Sequence, residues 1–238
     1  MTTELHRLQY GEHTLEFALI RKKRATLEIA VEPDATVVVT APIETPLGAI
    51  VEKVRRRVAW VRRQQRFFSQ YVPRTPERQF LPGETHLYLG RQYRLKVVPN
   101  VKANVKLIHG FIAVQSQEPD RPDVTRGLVY QWYREHAHTK FAERLETNLL
   151  RFPDPEGFRP SSLIIRRLRQ RWGSMSPGGK LLLNRRLIEA PVDAIDYVIT
   201  HELCHIAEPG HNTSFFQLLD RVLPDWHRRK ERLERVMA

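Results

Sequence analysis

Between His201 and His211 the chain reads H-E-L-C-H-I-A-E-P-G-H, three histidines and two glutamates within eleven residues. On a helix, positions four apart lie about 40° apart around the axis. His201 and His205 therefore project from one face and can hold one metal ion. Glu202 lies about 100° from His201, beside such an ion rather than among its ligands, where a carboxylate can take a proton from a metal-activated water. This is the mechanics of the H-E-x-x-H zinc hydrolases. The chemistry to expect is metal-dependent hydrolysis with Glu202 as general base.

A catalytic zinc site normally has three protein ligands and one open position. Pro209-Gly210 stops the helix after His205, and glycine lets a chain reverse, so His211 is the expected third ligand. Glu208 is its competitor. The H-E-x-x-H-x-x-x-x-x-H spacing equals that of the metzincins. Their glycine position holds Glu208 here, however, and Met237 is not placed to form their methionine turn. Three imidazoles favour zinc, with manganese, nickel or cobalt also compatible. Cys204 is angled away from the histidine face and reads as a small buried hydrophobe. His136 and His138 point to different faces of an earlier helix.

These residues need a helix with an apolar back. Ala194, Ile195, Val198, Ile199 and Leu203 supply that stripe, Pro191 opens it, and the helix should end near Ala207 before Pro209. Upstream, residues 162–188 read as a β-hairpin, with Pro177-Gly178 at the centre of a type II turn. On its first strand, from Ile164 to Ser174, Arg167, Arg169 and Arg171 share one face. They line either a cleft or an exposed sheet surface. Residues 5–41 alternate as strands of a small antiparallel sheet, with a turn at Pro33-Asp34. A helix follows over 46–70, whose Arg55, Arg56, Arg62, Arg63 and Arg66 fall largely off the apolar stripe. That face is either solvated or in contact with an anionic polymer. A second set of strands covers 84–115, and a helical pattern starts near Val124. The division is drawn near residue 121: a β-rich N-terminal region with one helix over 1–121, and a hydrolase domain over 122–238. No internal repeat is evident.

Totals bound the reading. The chain has 238 residues, 39 Lys and Arg against 27 Asp and Glu, and a net charge of +12. Such a balance suits nucleic acid, anionic membranes or phosphorylated ligands, or simply solvated helix faces. No apolar run is long enough for a membrane span, no signal-peptide pattern opens the chain, and a single cysteine excludes an intramolecular disulfide framework. A cytoplasmic protein is expected.

The block R-W-G-S-M-S from Arg171, then L-N-R-R-L from Leu183, Y-V-I-T-H-E-L-C-H from Tyr197 and H-N-T-S-F-F from His211, resembles the YgjP-like metallopeptidase-domain proteins. G-E-T-H-L-Y-L-G-R-Q-Y, from Gly83, is similar to the same family more loosely. Met175 stands where the family usually has cysteine, and Phe216 where it has tryptophan. The resemblance implies an α+β chain with a zincin-like domain related to the SprT- and Wss1-type metalloproteases, which act on proteins crosslinked to DNA. It also implies that His201, His205 and His211 are zinc ligands and Glu202 the base. A zinc metallopeptidase is the leading expectation, with Arg171, Tyr197 or Arg169 contacting substrate or transition state. In this reading the first hairpin strand is the edge on which an extended peptide pairs. A nucleotide phosphoanhydride hydrolase acting on a phosphorylated small molecule is a rival, since activated water also attacks phosphorus. A nucleic-acid-associated protein acting on DNA-bound proteins is another. No membrane partner is expected.

Overall fold

Leu15, Phe17 and Leu19 alternate along one segment and Val37 and Val39 along another, and period-two alternation puts each set on one sheet face. In the computed structural model, which describes residues 3–11, 13–32, 35–69, 78–168 and 171–237, these side chains are all buried. The strands are β1 (Thr3–Tyr10), β2 (His13–Lys22), β3 (Glu28–Val31) and β4 (Val37–Pro42). They are followed by helix α1 (Leu47–Ser69). Ile50, Val54, Val58 and Val61 of α1 close the core over the sheet. The sheet order is β1-β2-β4-β3, and β2 and β4 run parallel. The expected all-antiparallel sheet is thus corrected to a mixed one. Alternation encodes which face is buried, not the direction of the neighbouring strand. The expected turn at Pro33-Asp34 lies outside the described residues.

The chain divides into two compact units, Met1–Thr75 and Pro76–Met237. The division at 121 suggested by composition falls inside the second unit, between a sheet and the helix packed on it. That sheet comprises β5 (Thr85–Tyr88), β6 (Arg91–Pro99), β7 (Asn104–Ile108) and β8 (Phe111–Ser116), in the order β5-β6-β8-β7. Helix α2 (Pro122–Leu149) follows, with proline in its first turn as expected for that residue. Leu95, Ile112 and Val114 of the sheet share one core with Val129 and Tyr133 of α2, and the Tyr133 hydroxyl donates to the Leu87 carbonyl at 2.7 Å.

The third sheet is built from β9 (Ser162–Arg166), β10 (Gly173–Met175) and β11 (Lys180–Asn184), in the order β10-β11-β9. The hairpin is present as β10 and β11, but its first strand is not a continuous Ile164–Ser174. β9 pairs in parallel with the opposite edge of β11. At the break, the Asn184 side-chain amide donates to the carbonyls of Leu168 and Arg171, at 2.9 and 3.0 Å. The hairpin turn also differs from the expected type II. Its left-handed residue is Gly179 (φ 71°), and the Gly179 N–H donates to the Ser176 carbonyl at 2.9 Å. That is a tight turn followed by a glycine bulge.

A 3-10 turn, Arg185–Glu189, leads into α3 (Val192–Ala207), and α4 (Thr213–Val222) and α5 (Trp226–Met237) complete the unit. Five helices and three small sheets among the described residues make the chain α+β. No described helix is long and apolar enough to cross a membrane.

Candidate metal centre

The expected bounds of α3 hold: Pro191 precedes it and it ends at Ala207. Its apolar back, Ala194, Ile195, Ile199 and Leu203, is fully buried. His201 and His205 emerge together one turn apart, with ring centroids 5.1 Å apart. Gly210 does not adopt a left-handed conformation. The reversal instead follows an extended Glu208 (φ −127°, ψ 92°) and Pro209. Asn212 then starts α4 by accepting the Phe215 N–H on its side chain at 2.8 Å. This local fold returns His211 to the helix, and its Nε2 lies 2.9 Å from Nε2 of His201. One nitrogen from each of His201, His205 and His211 falls within 4.8 Å of the others.

The rings share a floor. The buried Phe215 ring lies 4.9, 4.7 and 4.8 Å from those of His201, His205 and His211. Burial first, then the neighbouring histidines and Lys230, push the His201 pKa down to about 3. Burial and the same kinds of neighbour lower that of His211. Both are neutral at pH 7, the state a metal requires. His205 Nδ1 lies 2.9 Å from the Glu208 carbonyl. A carbonyl only accepts, so Nδ1 carries a proton, as second-shell bonds to metal-binding histidines commonly arrange. Nδ1 of His201 is buried without a partner; packing between Tyr197 and Phe215 holds that ring. Three converging imidazole nitrogens fit a divalent transition metal.

Glu202, which follows His201 directly on α3, is 7% exposed. Burial raises its pKa to about 7, opposed by the Met175 backbone N–H and by Arg171. Gly173 makes the room: a Cβ there would sit 2.7 Å from Glu202 Cγ and 2.8 Å from Oε1. β10 thus rests directly on the carboxylate.

A family model described as YgjP-like, metallopeptidase domain, matches residues 25–236. The chain belongs to this family. Membership makes it a metallopeptidase-type domain, a metal-dependent hydrolase, and implies a divalent metal and a peptide or protein substrate. No curated protein and no solved structure gives a significant match.

Other parts of this YgjP-like domain hold α3 in place. The Asp196 carboxylate accepts from Arg144 Nε and Nη2 at 2.7 and 2.8 Å and from Asn148 Nδ2 at 2.8 Å. Asn148 Oδ1 in turn accepts the Thr200 hydroxyl at 3.1 Å. This buried network fixes the rotation of α3 against α2, one residue before the first histidine. At the start of α3, Gly90 (φ 78°) packs on Pro191. A Cβ there would sit 2.7 Å from the proline ring, so the β5–β6 turn can dock only through glycine.

Arg171 is exposed and donates to the Ser174 hydroxyl at 3.2 Å. Tyr197 is buried, its ring 5.7 Å from His201 and stacked at 10° on Trp226. Burial raises its pKa, so the hydroxyl keeps its proton. Arg169 lies outside the described residues. Arg185 sits 4.8 Å over the Tyr130 ring. The Glu208 carboxylate accepts from Asn212 at 3.1 Å and is not among the converging groups. Cys204 is fully buried, with its pKa pushed up to about 12. His136 packs on Trp132, centroid to centroid 4.1 Å. Phe215, Gly173, Asn184 and Lys230 are the residues that sequence reasoning did not single out.

Proposed function

We propose that this chain is a zinc metallopeptidase with a zincin-like site, in which His201, His205 and His211 hold the ion and Glu202 is the general base. The observation that carries this reading is the convergence of three imidazoles, within 4.8 Å of one another at one nitrogen each, two of them on a helix that also carries a buried glutamate with a raised pKa. A donor set of three imidazoles suits zinc. Bound there, zinc supplies Lewis acidity, which lowers the pKa of a water and polarises a carbonyl.

The chain's own residues do the rest. Glu202, poised near neutrality, takes a proton at its carboxylate oxygen and returns it to the leaving amine. Phe215 excludes water from below the histidines. β10 is an edge strand of its sheet and its Met175 N–H bonds to Glu202. An extended peptide added to that edge passes beside the base. Arg171, exposed and electrostatically coupled to Glu202, is the contact for developing negative charge. Tyr197, stacked and buried, orients His201.

The test pairs metal analysis with activity. The native chain is expected to carry one zinc and to cleave casein or members of a peptide panel. Glu202→Gln is expected to keep the metal and lose cleavage. Absence of a stoichiometric metal, full activity in Glu202→Gln, or turnover of nucleoside triphosphates without peptide cleavage overturns the reading.

A further inference from the structure

The first unit carries a cleft of about 490 Å³ between β3 and α1, lined by Leu27, Ile29, Lys53, Arg56, Arg57 and Trp60. Its volume is in the range of ligand-sized pockets, about 300–1,000 Å³. Lys53, Arg56, Arg57 and Trp60 stand at i, i+3, i+4 and i+7 of α1, which places them along one helical face. That face lies beside the core stripe of Ile50, Val54 and Val58. The three cations are exposed and Trp60 is half-buried. None of the three has an ion-pair or hydrogen-bond partner among the described residues, although Arg55 on the same helix pairs with Glu52 at 3.3 Å. The whole of α1 carries seven lysines and arginines against one glutamate. Leu27 and Ile29 give the cleft an apolar wall opposite these charges.

The combination asks for a ligand that presents repeated anions and flat apolar groups together. We propose that this cleft binds single-stranded nucleic acid, with a base inserted against Trp60 and the flanking phosphates on Lys53, Arg56 and Arg57. A stacking platform beside a cationic track is how single strands are held without sequence reading. A duplex keeps its bases stacked inside and offers Trp60 nothing. An acidic peptide satisfies the cations but brings no regular planar group. A flat anionic membrane does not enter a cleft. The site is independent of the metal centre and uses none of its residues.

The test is fluorescence anisotropy of the full chain with a labelled oligothymidylate at low salt, followed through a salt titration. Binding is expected, and Arg56→Glu with Arg57→Glu should weaken it at least tenfold. The same pair should flatten the log–log salt slope by about 1.4, from about 0.7 per phosphate contact. Trp60→Phe should retain most of the affinity, and Trp60→Ala should lose about 5- to 160-fold, the range of one base–aromatic stack. Arg62→Glu with Arg63→Glu, on the same helix outside the cleft, is the control for general basicity. The proposal is overturned by equal loss in that control pair, by no loss in the cleft pair, or by absence of binding at low salt. It is equally overturned if polyglutamate, duplex DNA or phosphatidylglycerol vesicles compete as well as the unlabelled oligonucleotide.

Discussion

Gly173→Ala is the sharpest test of how the fold serves Glu202. Ordinary carbon–carbon contact is about 3.5–4.0 Å, and the added methyl carbon would lie 2.7 Å from Glu202 Cγ. One side must yield by about 1 Å. β10 is held by its ladder to β11, whereas the glutamate has free torsions, so the carboxylate moves. Overpacking of this kind costs about 1–3 kcal/mol, and the chain stays folded. Misplacing a catalytic group by about 1 Å costs about 10²-fold in rate. The expected result is near-native metal content, a modest drop in urea-unfolding free energy, and kcat for the best peptide of the panel reduced about a hundredfold. Native kcat with an unchanged acid limb would refute the reasoning, because the carboxylate would then tolerate displacement or not be the base.

Three further outcomes follow. In metal-free protein, the Glu202 pKa stands at about 7 against an ordinary 4.5. The folded state therefore binds the extra proton more tightly, and stability is lost as pH rises between those values. Glu202→Gln should match the native apo-protein at pH 4 and exceed it at pH 8 by on the order of 3 kcal/mol; equal urea midpoints at pH 8 would contradict the burial argument. Phe215→Ala should cost about 3–5 kcal/mol and weaken zinc binding measured by competition with a chromogenic chelator, whereas Phe216→Ala, at the 37%-exposed neighbour, should cost far less. Asp196→Ala leaves Arg144 without its bidentate partner and should destabilise by about 3–5 kcal/mol in equilibrium unfolding, with the loss shared, not summed, in an Arg144→Ala double variant.

The meeting of the three histidines was legible because it is local. His201, Glu202 and His205 follow from helical period alone, and His211 from a helix stop of known chemistry, so no long-range packing had to be known. Phe215 was harder: a phenylalanine three residues into a short helix looks like ordinary core, and only the Asn212 cap hints that it turns back beneath the histidines. Gly173 and Lys230 meet the site from distant segments, and nothing in their neighbourhoods announces the contact. The same limit applies to the sheets. Alternation identified the buried faces, yet it does not reveal that β9 pairs in parallel with β11 rather than continuing into β10, nor that the Asn184 side chain holds the carbonyls of Leu168 and Arg171.

Differences in side chains also concealed a repetition that the topology shows. Both units open with four strands in which the second and fourth run parallel and the outer two pair antiparallel, and both then send a helix across the sheet. The strands of the two units differ in length and residue, so no sequence repeat was evident. What distinguishes the units is the use of the helix. The first half of α2 covers its sheet, while Arg144 and Asn148 in its second half grip α3 through Asp196. α1 lays its apolar stripe on its own sheet, and its other face carries the exposed cations Lys53, Arg56 and Arg57. One ββββα scaffold thus supports an apolar and hydrogen-bonded bed for the metal helix in one copy, and leaves a charged helical face in the other. A cationic face retained at the cost of self-repulsion is what the salt titration on Arg56 and Arg57 interrogates, separately from any hydrolysis at Glu202.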